Sequence, residues 1–131
     1  MKGLLASIIG VIFAGYKLSW LRLHSGDFAA FLTQEVDRFG GRALSSDPPT
    51  PLMTQWRHQS DDNGFTIGMP EADFSDVAAL LERTYGPADI KTSVRGTPHG
   101  LYKPRDFGLF MRFFAEDGGV GIICSKGKPQ R

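Results

Sequence analysis

From Gly3 to Tyr16 the chain carries no charged side chain, and the run sits between Lys2 and Lys17. A stretch this apolar is unfavourable in water, so it must enter a bilayer, a translocon or a protein core. Three readings are open.

The first is a cleaved secretory signal, with Lys2 as the n-region and residues 3–16 as the h-region. The exit is poor for this. Cutting after Ala14 places Ile12 where a small residue is required, and cutting after Gly15 places Phe13 there. The second is an uncleaved anchor. Residues 3–16 span only ~21 Å as a helix, short of a hydrocarbon core of roughly 30 Å. Leu18, Trp20, Leu21 and Leu23 extend the apolar character, and residues 3–23 would reach ~31 Å. Lys17 and Arg22 can snorkel, and Tyr16 and Trp20 fall where interfacial aromatics are common. The third is a helix buried in the chain's own soluble domain. We favour the anchor, with residues 1–23 as a transmembrane or signal segment. Short N-terminal tails usually stay inside, which puts the head outside the cytoplasm. Ala6, Gly10 and Ala14 recur every four residues, a small face through which two membrane helices can associate into an oligomer.

Charge is segregated although the net is only +1. Residues 24–86 hold four Lys/Arg against ten Asp/Glu, and residues 87–131 hold eight against four. A nucleic-acid footprint needs basic residues clustered with aromatics, so no nucleic-acid partner is expected. The lone Cys124 allows no intrachain disulfide and leaves the redox compartment open.

Beyond the first segment the pattern predicts an α+β fold. Phe28, Phe31, Leu32, Val36 and Phe39 form a helical stripe after the capping candidates Ser25, Gly26 and Asp27, and Gly40-Gly41 ends it. This gives an amphipathic helix over 24–41, which either continues the first segment or docks on the domain C-terminal to it. Residues 42–51 contain Pro48, Pro49 and Pro51 and read as an extended tether. The globular domain is expected over 52–125. Asp61-Asp62-Asn63-Gly64 marks a hairpin between 52–60 and 65–69, Asn-Gly being chosen because both residues tolerate positive φ. Asp73 is expected to cap a helix over 74–85 that Gly86-Pro87 stops.

Short strands come next around Ile90–Val94 and Leu101–Lys103, separated by a turn cluster at 96–100. A long strand is expected through Phe107, Leu109, Met111 and Phe113, then a turn at Asp117-Gly118-Gly119 and a closing strand through Val120, Ile122 and Cys124. The order is ββαββββ: a largely antiparallel sheet with one packed helix, its core drawn from Phe65, Ile67, Phe74, Val77, Leu81, Leu109, Met111, Phe113, Val120 and Ile122. Residues 126–131 form a basic tail.

Chemistry is sparse. His24, His58 and His99 have no i, i+4 pairing, and one cysteine cannot build a thiolate site, so no metal is expected. Gly118, Gly119 and Gly121 lack the following helix of a phosphate cradle, and no cofactor is expected. Cys124 alternates with Val120 and Ile122, as a small buried hydrophobe does. One group stands out. Arg95, His99, Tyr102, Lys103 and Arg105 surround a Gly/Pro-rich turn, a basic, aromatic patch suited to an acidic surface, a lipid headgroup or an anionic glycan.

The sequence therefore predicts a membrane-anchored, non-catalytic extracytoplasmic module for binding or assembly with a protein partner. The alternatives are a secreted or periplasmic enzyme or inhibitor using His58, Asp61, Asp62 and His99, and a soluble cytoplasmic domain with a buried N-terminal helix.

Overall fold

A computed structural model describes residues 23–42, 50–116 and 118–126. The apolar run, with Ala6, Gly10 and Ala14, lies outside the described residues, as do 43–49 in the proline-rich stretch. Among the described residues no helix is long and apolar enough to cross a membrane.

The chain runs β1 (His24–Asp27), α1 (Phe28–Arg38), β2 (Met53–Ser60), β3 (Gly64–Met69), α2 (Phe74–Tyr85), β4 (Asp89–Thr92), β5 (Pro98–Tyr102), α3 (Pro104–Phe107), β6 (Phe110–Glu116) and β7 (Gly119–Ser125). The strands form one seven-stranded sheet in the order β1-β2-β3-β7-β6-β5-β4, with every neighbouring pair antiparallel. The α+β class is as the sequence predicts. The sheet has one strand more than expected, and a second long helix packs on it.

That helix is α1. Asp27 fixes its start: one carboxylate oxygen accepts from Ala29 N at 3.1 Å and from Leu52 N at 3.2 Å. The same aspartate thus caps the helix and ties it to the lead-in of β2. Phe28, Leu32 and Val36 are each at most 2 % exposed and join the core that β2, β3, β6 and β7 supply. Residues 42–51 therefore connect two elements of one body. Both ends of the connection are pinned, Arg42 N to Phe107 O at 2.7 Å and the Thr50 hydroxyl to the Arg83 guanidinium at 2.6 Å.

The β2–β3 hairpin forms where Asp61–Gly64 predicts it, for a different reason. No non-glycine residue in the described chain has positive φ, and Gly64 is not among the positive-φ glycines. Asp61 makes the turn instead, its carboxylate accepting from Asn63 N at 2.8 Å and Gly64 N at 3.1 Å. Gly64 is required for space, because a Cβ there would strike the backbone of Cys124 and Ser125.

In α2, Val77, Leu80, Leu81 and Tyr85 face the sheet. Asp73 precedes the helix without a side-chain capping bond, and Gly86 ends it at φ 100°. The expected strand through Phe107 is divided: Phe107 closes the single turn of α3, Gly108 turns left-handed at φ 93°, and β6 starts at Phe110. Val94 belongs to the β4–β5 turn, and β5 already begins at Pro98, inside the expected turn cluster.

Register defines two faces. Phe65, Ile67 and Met69 align with Cys124, Ile122 and Val120, and Met111 and Phe113 with Cys124 and Ile122. Both long helices lie on this face: Phe28 and Phe31 meet Trp56, Phe39 meets Phe65, and Phe74 stacks on Phe113. Of the expected core, Phe74 alone is only half-buried. The opposite face carries Arg57, Gln59, Thr66, Gly68, Gly121, Ile123, Arg112 and Phe114.

A tyrosine-floored basic cleft at the end of the sheet

The end of α2 and the end of β5 meet beneath α3. Tyr85 is the last residue of α2, and Gly86-Pro87 turns the chain away at once. Tyr102 is the last residue of β5 and donates its hydroxyl hydrogen to Gly86 O at 2.7 Å. The two tyrosine rings are T-shaped at 6.4 Å, and both pack on Phe107, at 4.9 and 5.4 Å. The Glu82 carboxylate accepts from Ala88 N at 3.2 Å and holds the exit from α2.

Pro104 starts α3 with a φ already suited to the first helical position. Arg42 secures it from the side, its guanidinium donating to Pro104 O and Arg105 O, each at 3.3 Å. Gly108 admits the close approach of Gly40 O, which a Cβ would meet at 2.8 Å.

These contacts leave a half-open cleft of about 620 Å³, lined by Tyr85, Gly86, Pro87, Asp89, Leu101, Tyr102, Lys103 and Arg105. Its size lies within the range of small-ligand sites, roughly 300–1,000 Å³. The floor is aromatic and uncharged. Burial pushes the Tyr85 phenol up to about 12, and burial also raises that of Tyr102, helped by the nearby Glu82 charge. Both phenols therefore stay protonated at neutral pH. The rim carries the exposed cations Lys103 and Arg105. Its one acid, Asp89, lies 3.7 Å from Lys91. Among the lining residues two cations thus face one acid.

Three residues of the expected patch, Tyr102, Lys103 and Arg105, line this cleft. Arg95 does not: it sits in the turn at the far end of the β4–β5 hairpin, exposed. His99 is in β5 but on the opposite face, across from Phe114 and Lys91. The contributions of Tyr85, Pro87 and Asp89 have no signal in the sequence beyond the helix stop, since they reach Tyr102 only through the packing of α2.

The residues of the enzyme reading are dispersed. His58 points to the helix-covered face, with Nε2 3.2 Å from Glu35 Oε1, and its ring is T-shaped to Phe31 at 4.9 Å. Burial lowers its pKa from 6.5 and Glu35 opposes that shift. Asp61 is spent in the hairpin turn, and Asp62 is exposed beside it. His99 lies on the other face and four strands away, ~19 Å at the usual strand spacing. Cys124 is buried, which raises its thiol pKa far above the ordinary range. Among the described residues no three metal-ligating side chains cluster.

Comparison with protein-family models, with characterised proteins and with solved structures finds no match to this chain.

Proposed function

We propose that this protein is a membrane-anchored binding module whose head lies outside the cytoplasm and takes an acidic segment of a partner protein into the cleft at Tyr85, Tyr102, Lys103 and Arg105. The cleft carries the reading: two cations stand at its rim over an uncharged aromatic floor. Carboxylates would meet Lys103 and Arg105 in charge-assisted hydrogen bonds, while adjacent apolar atoms would rest on the tyrosine rings and Pro87.

A protein partner fits better than the lipid of the anchoring bilayer. The apolar segment joins the head at β1, and the cleft lies at the other edge, by β4 and β5. Six strand spacings separate the two edges, roughly 29 Å. An anchor entering at β1 leaves the cleft free to face outward.

Titrating the full-length protein in mild detergent with a fluorescent hexaglutamate peptide tests the cleft. Replacing Lys103 and Arg105 together by serine is expected to weaken binding about tenfold, equivalent to ~1.4 kcal/mol, while Arg95→Ser changes it less than about twofold. Equal losses would assign binding to diffuse surface charge. Binding to phosphatidylglycerol vesicles but not to the peptide would assign the cleft to a headgroup. The anchor is tested separately, by carbonate washing of membranes: the full-length chain is expected in the pellet, and its recovery in the wash would remove the anchored reading.

A further inference from the structure

The two edge strands of the sheet, β1 and β4, differ in what they offer. The carboxylate of β1, Asp27, is already bonded to Ala29 N and Leu52 N. β4 is exposed at all four residues, Asp89, Ile90, Lys91 and Thr92. Its backbone groups can be sorted by direction. Ser93 N donates to Thr97 O at 2.9 Å, and bonded pairs alternate along an antiparallel ladder. Lys91 and Asp89 therefore bond to β5, and the N–H and C=O of Ile90 and Thr92 point outward. Pro98, which has no N–H, stands opposite Thr92, where none is needed. An outward row of this kind is a template for another strand. The side chains divide as well. Asp89 and Lys91 share the face away from the long helices, 3.7 Å apart, and Ile90 lies on the other face, 45 % exposed. A lysine on an edge ordinarily discourages pairing. Here an aspartate two places away offsets it, and the strand carries a charge pattern that complements itself.

We infer that this edge is the seat of a second copy of the chain, the two β4 strands pairing antiparallel about a dyad at Ile90. The register follows from two demands. Outward groups must meet outward groups, which permits only shifts by two places. With Ile90 opposite the partner's Ile90, Asp89 faces the partner's Lys91, and Lys91 faces the partner's Asp89. A shift by two places sets lysine against lysine or aspartate against aspartate, which is destabilising. In the dyad register the charged pairs take the non-bonded positions, where opposed Cα atoms are only ~4.5 Å apart. Ile90 exchanges both backbone bonds with its counterpart and covers its exposed side chain. Such an interface is isologous and closes at two copies. Asp89 also lines the cleft, so the pairing sets two clefts on either side of one dyad, whatever the cleft holds.

Oxidative cross-linking of the full chain in mild detergent tests this. In a Cys124→Ala background, Ile90→Cys puts two thiols at the dyad, with Cα atoms ~5.5 Å apart, within disulfide reach. Val94→Cys is the control: Val94 is fully exposed, but the two copies lie beyond Thr92 at opposite ends of the pair, and the two Thr92 are already ~14 Å apart along the strands. The disulfide dimer of Ile90→Cys is expected to exceed that of Val94→Cys by about tenfold, reflecting the raised effective concentration of paired thiols. Equal yields would assign the adducts to chance collision and overturn the interface. Adding either Asp89→Lys or Lys91→Asp to Ile90→Cys is expected to abolish the excess, because each homodimer then opposes like charges. Mixing the two charge-reversed chains is expected to restore it as a heterodimer. An excess that survives the single reversals, or a mixture that fails to restore it, would overturn the pairing register.

Discussion

Two helices of nearly equal length, eleven residues in α1 and twelve in α2, cover one face of one sheet, yet their undersides differ in chemistry. Beneath α1 a carboxylate meets a half-buried imidazole: Glu35 and His58 stand 3.2 Å apart, with Phe31 against the imidazole. Beneath α2 the polar groups are phenols. Tyr102 is bonded to a backbone carbonyl, and Tyr85 packs on Phe107. The first half holds an imidazole whose pKa burial lowers from 6.5; in the second, burial pushes the Tyr85 phenol up to about 12. One sheet thus combines a pH-sensitive side with a pH-indifferent one, and substitutions on the two sides should separate them.

The largest effect is expected on the α2 side. Phe113 is fully buried, stacked with Phe74 at 5.4 Å and Tyr102 at 6.1 Å. Its ring also fills the space above Gly100, where a Cβ would collide with it. Phe113→Ala removes an aromatic from the packed centre and leaves a cavity, costing about 3–5 kcal/mol. Urea unfolding at pH 7.5 and 5.5 should return the same loss. A loss that changed with pH would show the two sides to be coupled.

On the α1 side, Glu35→Gln is expected to cost about 1–3 kcal/mol by removing a charge-assisted partner from a half-buried imidazole. The pH dependence has a definite sign. Burial holds the folded-state pKa of His58 below 6.5, so the unfolded chain binds the proton more readily. The stability from this group is full above pH 6.5 and declines as pH falls through 6.5 towards the lower folded value. Glu35 opposes the shift, so Glu35→Gln lowers the His58 pKa further and widens the window of loss. An NMR titration of the imidazole reads this directly. A rise of its pKa in Glu35→Gln would contradict the opposing role of the Glu35 charge.

The contrast between the two sides is largely hidden in the sequence. The apolar stripe of α2 and its Gly86-Pro87 stop are local patterns, and the helix forms over 74–85 as they predict. The stripe of α1 is equally plain, but the surface it packs against is not. His24-Ser25-Gly26-Asp27 has no alternation to mark it as a strand; it joins the sheet through backbone pairing with β2, and its only local signal is for a helix cap, which Asp27 supplies. The Glu35–His58 contact spans twenty-three positions and needs both α1 and β2 in place. The cleft is half legible for the same reason. Tyr102, Lys103 and Arg105 are sequence neighbours, whereas Tyr85 and Asp89 arrive through the docking of α2 and the β4–β5 pairing. Proximity in sequence also misleads: His99 and Tyr102 are three apart, and odd spacing along a strand sends them to opposite faces.

The smallest effect tests whether the α2 side keeps its cleft by a single bond. Tyr102→Phe deletes the 2.7 Å bond to Gly86 O and keeps the ring packed on Phe107. The expected cost is about 0.5–1.5 kcal/mol, a typical net hydrogen bond, and it should not vary between pH 7.5 and 5.5. The consequence for binding should exceed that for stability. Gly86 ends α2 at positive φ, and the Tyr102 hydroxyl fastens this turn to β5, setting the distance between the two walls of the cleft. Without the bond, Pro87 and Asp89 can move relative to Lys103 and Arg105. Hexaglutamate binding should weaken although both cations remain. Unchanged affinity together with the expected stability loss would mean that the rim cations act independently of the tyrosine floor.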